Sequence, residues 1–341
     1  MSIVVHYRQN NYLSCSHRLV LLMIVISTLV VLTQQGKMTQ ALGLTSSGFS
    51  FSVAGDYAQT THTTANLNSI ATSGVGFHLA IGDFSYDPHV SAAAWSSYAK
   101  SHLPANFPFE ILAGNEDTSE TNTYIADLPN HLSSISGNYA KEYFFDYPAS
   151  APLARFILIS PKTFYSYGQG SSHYTWLAQT IDSARAAHIH WVIVAMHEYC
   201  IDIGSDPCTI GTALENLLIS KKIDVILQAH KHSYQVSKQL ALNTTTCPSV
   251  SLNSYNANCV ANASTSMTRG AGSVIVITGT GGASLSSINT ANPETGYFRQ
   301  WMGSNVSPTW GYSKFTISAS QLSMHFVGVS GGFSDSFTIQ G

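Results

Sequence analysis

The sequence predicts an α/β fold in which the edge of a buried sheet gathers the chemistry. Two observations carry this. From Gly48 onward, short runs rich in β-branched and aromatic residues recur, and several stop abruptly at a polar residue able to bind metal. Between them lie stretches with apolar residues at helical spacing. Near-continuous apolar strands separated by helices imply a sheet covered on both faces. In such sheets the reactive groups collect just beyond the strand ends.

The elements follow in order. Phe49–Ala54 reads as a strand leading to Asp56, followed by a weaker helical pattern over Thr63–Thr72. Phe77–Ile81 leads to Asp83, and Ser91–Leu103 reads as a helix. Phe107–Ala113 leads to Asn115, and Arg155–Ser160 is a further strand. Tyr174–Ala187 is helical, Trp191–Met196 leads to His197, and Ile210–Ser220 is helical again. Val225–Gln228 leads to His230 and His232. Residues 235–272 are polar, irregular and cysteine-bearing, and read as a long surface insertion. Ser273–Thr278 runs into Gly279-Thr280-Gly281-Gly282. With no GxGxxG pattern, those glycines read as a tight turn rather than a phosphate loop. Strands near Tyr312–Ile317, Gln321–Val327 and Phe337–Ile339 complete the chain.

Composition narrows the function. Only 10% of the 341 residues are charged and the formal charge is −3, so no basic surface is available for nucleic acid. A hydrophobic content of 44% excludes a disordered chain. One stretch, Leu19–Leu32, is strongly apolar; its 14 residues fall short of the roughly 20 that span a bilayer. It follows His17 and Arg18 and precedes small and polar residues, the pattern of a secretory signal with cleavage near Ala41. An uncleaved anchor is the alternative. Residues 1–42 are therefore expected to be a signal peptide or N-terminal hydrophobic segment. Residues 43–341 are expected to form one catalytic domain, secreted and without a stable membrane span after signal removal. Four cysteines lie in that part: Cys200, Cys208, Cys247 and Cys259. Three pairings are open. The local pairs Cys200–Cys208 and Cys247–Cys259 are expected, because each flanks a polar, loop-like stretch.

The residues at the strand ends form a donor set: Asp56, Asp83, Tyr86, Asn115, His197, His230 and His232. Carboxylates, an amide oxygen, a phenol and imidazoles suit hard to borderline cations such as Fe, Mn and Zn. In His230-Lys231-His232, residues two apart point the same way after a strand, so both imidazoles can face neighbouring metals. One carboxylate can bridge two metals, and such a pair activates water and clamps the oxygens of an in-line phosphoryl displacement.

The motifs Gly55-Asp56-Tyr57-Ala58, Gly82-Asp83-Phe84-Ser85-Tyr86, Gly114-Asn115-Glu116-Asp117, Met196-His197-Glu198 and Ala229-His230-Lys231-His232 occur in that order. Their order resembles that of the calcineurin-like metallophosphoesterases, most closely the purple acid phosphatase branch. Ala58 stands where many relatives have a histidine, while Tyr86 stands where the purple branch supplies a tyrosinate. The resemblance implies a four-layer α/β/β/α sandwich of two mixed sheets. It implies two metal ions: Fe(III) held by Asp56, Asp83, Tyr86 and His232, and a divalent partner (Fe, Zn or Mn) held by Asp83, Asn115, His197 and His230. The implied reaction is in-line attack of metal-bound hydroxide on a phosphomonoester, with phosphodiesters second. His197, Glu116 and Asp83 are the catalytic candidates. Glu116 departs from the family, which usually has a histidine there that contacts phosphate and protonates the leaving group. An anion at that place repels a phosphate ester, and this motivates the alternative of a weakened or inactive metal- or phosphate-binding protein on the same fold. Nine other histidines (His62, His78, His89, His102, His131, His173, His188, His190 and His325) read mainly as surface or core residues, any one of which could replace the lost imidazole.

Overall fold

The apolar runs fold as strands because each can bury both of its faces. In the computed structural model, Met1 and residues 48–341 other than Ser205 are described; the expected signal segment lies outside the described residues. The strands of the first half are β1 (Phe49–Ala54), β2 (Phe77–Ile81), β3 (Phe109–Leu112), β4 (Ser136–Asn138), β5 (Glu142–Tyr147), β6 (Ala154–Ile159), β7 (Trp191–Ala195) and β8 (Val225–Gln228). Those that follow are β9 (Tyr234–Ser237), β10 (Gln239–Leu240), β11 (Val260–Asn262), β12 (Ser266–Thr268), β13 (Val274–Thr278), β14 (Phe298–Met302), β15 (Trp310–Ile317), β16 (Gln321–Ser330) and β17 (Ser336–Gln340). The α-helices are α1 (Thr61–Thr72), α2 (Ala92–His102), α3 (Thr121–Asp127), α4 (Ser172–Ala186) and α5 (Thr212–Ser220).

Two mixed sheets result. One has the order β12-β17-β16-β15-β1-β2-β3, the other β14-β9-β13-β8-β7-β6-β5-β4. Alternation along each strand splits its side chains between two cores. In β7, Trp191, Ile193 and Ala195 join the apolar layer between the sheets, whereas Val192 and Val194 face Leu177, Ile181, Leu214 and Leu218 of α4 and α5. In β2, Phe77, Leu79 and Ile81 face inward, and Ala80 packs with Leu67, Trp95 and Tyr124 of α1, α2 and α3. This is the expected α/β/β/α layering. Phe51 anchors its centre, stacked on Phe77 and Phe315 at 5.3 and 4.8 Å and edge-on to Phe156 at 4.9 Å.

Three of the helices, α1, α2 and α4, start where hydroxyls cap them: Thr60, Ser91 and Ser171 each accept a backbone N–H three residues on. Among the described residues, no helix is long and apolar enough to cross a membrane. Both expected disulfides are formed, Cys200–Cys208 and Cys247–Cys259.

Two expectations need correction. Residues 235–272 are not wholly a surface insertion. Their first residues lie in β9, a fully buried strand between β14 and β13. Its polar side chains are satisfied internally: Gln235 accepts the Ile203 N–H at 2.7 Å and donates to Ser233 Oγ at 3.0 Å. The strands β4, β5 and β14 were not expected. β5 carries acids because Asp146 pairs with Arg155 of β6 at 2.7 Å, and β14 is an edge strand whose Arg299 binds Asp335 at 2.7 Å.

Candidate metal centre

Strands β1, β2, β7 and β8 deliver the expected donors to one place, as parallel strands should. Three of these donors, Asp56, Asp83 and His230, have φ of 62°, 54° and 62°. Left-handed backbone in non-glycine residues costs about 1–3 kcal/mol each and clusters at functional sites. Glycines make room around them. A Cβ at Gly114 would collide with Asp83 Oδ1, and one at Gly279 with Asp56 Oδ2. The run Gly279–Gly282 is thus a tight turn whose missing side chains let the centre close up.

The donors fall into two groups that share Asp83. On one side, Tyr86 Oη donates to Asp56 Oδ1 at 2.7 Å, lies 3.1 Å from Asp83 Oδ2, and is 2.9 Å from His232 Nε2. On the other, His197 Nε2 is 3.3 Å from Asp83 Oδ2 and 3.2 Å from His230 Nδ1. Asp83, His197 and His230 offer ligand atoms within 4.8 Å of one another. Backbone carbonyls orient two rings. His197 Nδ1 meets Ile81 O at 2.9 Å and His232 Nδ1 meets Ser284 O at 2.8 Å, so each turns Nε2 inward. Asn115 gives its amide N–H to Glu116 Oε1 at 2.7 Å. Its Oδ1 and Asp56 Oδ2 are buried without a hydrogen-bond partner among the described residues.

Two buried carboxylates this close need positive charge. The imidazoles supply it here. Burial alone would raise the Asp56 pKa, but the charges of His232 and His197 and the Tyr86 hydroxyl bring it down to about 2. Burial would lower His197, yet Asp83 and Asp56 outweigh it and push the ring up to about 10. Asp56 does the same for His232, up to about 9. His230 moves down, through burial and the charge on His197. Burial and both carboxylates hold the Tyr86 phenol well above its ordinary range. The two orphaned oxygens and the oxygen-and-imidazole donor set fit a pair of hard to borderline cations, which would take over the charge compensation the imidazolium rings now provide.

One residue escaped the sequence reading. Asp117 is buried and accepts the backbone N–H groups of Asp83, Phe84 and Gly114 at 2.7, 3.0 and 2.8 Å. It ties the loop after β2 to the loop after β3. Burial and then the nearby Asp83 charge raise its pKa to about 7.

No family model matches the chain. Purple acid phosphatase 21 of Arabidopsis thaliana is 27% identical over 206 residues, which are 56% of this chain and 45% of that protein. Purple acid phosphatase 18 of the same plant is 24% identical over 203 residues. The chain thus spans about half the length of the curated relatives it matches. Among solved structures, the purple acid phosphatase PPD1 from yellow lupin (Lupinus luteus) seeds superposes with a TM-score of 0.65 at 17% identity, over 86% of this chain and 54% of that one. The chain is thus similar in sequence to purple acid phosphatases over part of its length and shares their fold. GAP50, the anchor in the inner membrane complex of Plasmodium, has the same fold with a TM-score of 0.60 at 16% identity, over 86% of this chain and 90% of that one.

Against the purple acid phosphatase pattern, the departure at Glu116 is placed at the rim. Glu116 is exposed, and its backbone N–H donates to Asp83 Oδ1 at 3.0 Å. It shares a cavity of about 360 Å³ with Tyr86 and His89. Of the nine other histidines, His89 is thereby the one beside the altered position. His78 is committed elsewhere, held by Ser52 Oγ at 2.8 Å and Tyr57 Oη at 2.7 Å. Glu198, which follows His197, is buried with Oε2 3.8 Å from His230 Nε2.

Proposed function

We propose that this chain is a secreted, dinuclear-metal phosphoesterase acting on phosphomonoesters first and phosphodiesters second. The single observation that carries this is the position of Asp83 between two donor groups, each with its own histidines. Asp56, Asp83, Tyr86 and His232 would hold Fe(III); Asp83, Asn115, His197 and His230 would hold a divalent Fe, Zn or Mn. When bound, two such cations supply Lewis acidity toward both an attacking water and the phosphoryl oxygens. The protein's own part is positional. Ile81 O and Ser284 O fix the tautomers of His197 and His232, and Asp117 fixes the loop carrying Asp83. Tyr86, His230 and His232 are only partly buried, so substrate approaches from their side.

Metal loading competes with protons. In the metal-free protein the imidazolium forms of His197 and His232 contribute stability that is complete below their ordinary value of 6.5 and lost as pH rises through about 9 and about 10. Asp56 contributes stability present above 3.8 and lost as pH falls through about 2. Loading at neutral pH must therefore expel both imidazolium protons. With the Tyr86 phenol, which is also protonated before metal enters, about three protons per centre are expected, read by titration calorimetry in buffers of differing ionisation enthalpy. Release of none would show that these rings are not ligands.

The tyrosinate–iron assignment has its own test. Metal analysis with a visible spectrum should show iron and an absorption band, and Tyr86→Phe should abolish or strongly shift that band. A band untouched by the substitution would sink the assignment. A second reading, a non-catalytic protein on this fold, is favoured by one observation: the carboxylate of Glu116 at the rim, where it repels a phosphate ester. That GAP50, of the same fold, is described as an anchor is consistent with this alternative.

A further inference from the structure

At the opposite ends of the strands that carry the histidines lies a second, basic cavity. Its volume is about 500 Å³, and its walls include Arg185, His188, His190, Lys221, Lys222 and Arg269. Only twelve Lys and Arg residues occur between 48 and 341, and four of them are here. They come from three separate segments, the end of α4, the end of α5 and the loop before β13, and the turn before β7 adds His188 and His190. Three parallel strands, β7, β8 and β13, begin at this cavity and end at or beside the metal centre. His190 precedes β7 and His197 follows it, so roughly 20 Å of extended chain separates the two places. One phosphate cannot bridge them.

The bland explanation is that cations gather at helix C-termini. It accounts for part of the cluster. Arg185 donates to His190 O at 3.2 Å and to Asp224 Oδ2 at 3.0 Å, Arg269 donates to the same His190 O at 3.0 Å, and Lys221 pairs with exposed Asp182 at 2.7 Å. It does not account for His188 and Lys222. Both helices end in the same capping pattern, with His188 N–H to Arg185 O and Ile189 N–H to Ala184 O, and Lys222 N–H to Ile219 O and Ile223 N–H to Leu218 O. The residue after each cap is left-handed, with φ of 57° at His188 and 50° at Lys222. Glycine is the usual residue there, because it alone avoids the Cβ clash. This chain instead places an imidazole and an ammonium at both positions, and both line the cavity. Four cations face two carboxylates, Asp182 and Asp224, which leaves a positive surplus. The volume falls within the ~300–1,000 Å³ of small-molecule sites.

We propose that this cavity binds a small polyanion carrying two or more phosphate groups, as a site separate from the metal centre. The chemistry is shared by a free polyphosphorylated polyol and by a phosphoinositide headgroup, and the test separates them. The soluble probe is myo-inositol hexasulfate, whose sulfate esters are not phosphoesterase substrates. The membrane probe is phosphatidylcholine vesicles with and without phosphatidylinositol bisphosphate. Both are measured on the metal-loaded wild type and on a His188→Gly, Lys222→Gly variant. Glycine suits both backbone positions, so the variant should melt no lower than wild type and hydrolyse phosphate esters at the same rate. Its affinity for the polyanion should fall about tenfold or more, as expected for a lost charge-assisted contact. Loss of binding to the soluble probe assigns a free anion, and loss of binding only to phosphoinositide vesicles assigns a headgroup. Absence of binding to either probe, or equal binding by both proteins, would overturn the proposal.

Discussion

Asp83→Asn is expected to lower phosphoesterase turnover about 10³-fold or more and to weaken metal binding with it. A metal pair supplies several kcal/mol of transition-state stabilisation, and about 4 kcal/mol corresponds to roughly three orders of magnitude. Among the described residues, Asp83 is the carboxylate whose oxygens reach both donor groups: Oδ2 lies 3.1 Å from Tyr86 Oη and 3.3 Å from His197 Nε2. Asparagine keeps the shape, and its carbonyl oxygen can still accept the Glu116 N–H now bound at 3.0 Å. What it loses is the charge and the ability to bridge. The fold should survive, checked by circular dichroism. Asp182→Asn, on the exposed face of α4 where Asp182 pairs with Lys221, serves as the control and should leave turnover within about twofold. A full retention of turnover in Asp83→Asn would remove Asp83 from the centre.

Glu116→His is expected to raise turnover, by about 10²-fold if the imidazole assists departure of the leaving group as a positioned general acid. The position is exposed at the rim, beside Tyr86 and His89, so histidine fits without repacking. The substitution removes an anion that repels the substrate and adds a group able to give a proton. It also frees the Asn115 amide, which now donates to Glu116 Oε1 at 2.7 Å. A rate that stays level or falls would mean that the centre has been rebuilt around Glu116. His89→Ala separates the cases: it should lower the rate if His89 already does the work of the lost imidazole, and leave it unchanged otherwise.

The legible parts of the molecule were those where burial leaves no choice. β2, β7 and β8 are buried at every position, so their apolar runs and the polar residues that end them stand out. That is why the donors at Asp83, His197 and His230 could be read from spacing. The hidden parts are those whose polarity is satisfied internally. β9 looked like loop because Gln235 and Ser237 are polar, yet Ser237 Oγ accepts the Ile275 N–H at 2.8 Å inside the sheet. Asp117 left no signature because it works by accepting three backbone N–H groups, a task that no side-chain pattern announces. Its place two residues after Asn115, in the same short motif, was the only available hint. The basic cavity was equally hidden, since its cations are scattered from Arg185 to Arg269 and meet only when three segments pack together.

The most direct test of the central claim measures metal content and hydrolysis on the same purified sample. With two metal equivalents bound, the protein should hydrolyse an activated phosphomonoester such as p-nitrophenyl phosphate between acidic and neutral pH. That activity should disappear on chelation and return on reloading. A sample with both metals in place and no hydrolysis anywhere in that range would contradict the phosphoesterase assignment and leave a metal-binding protein on the same fold.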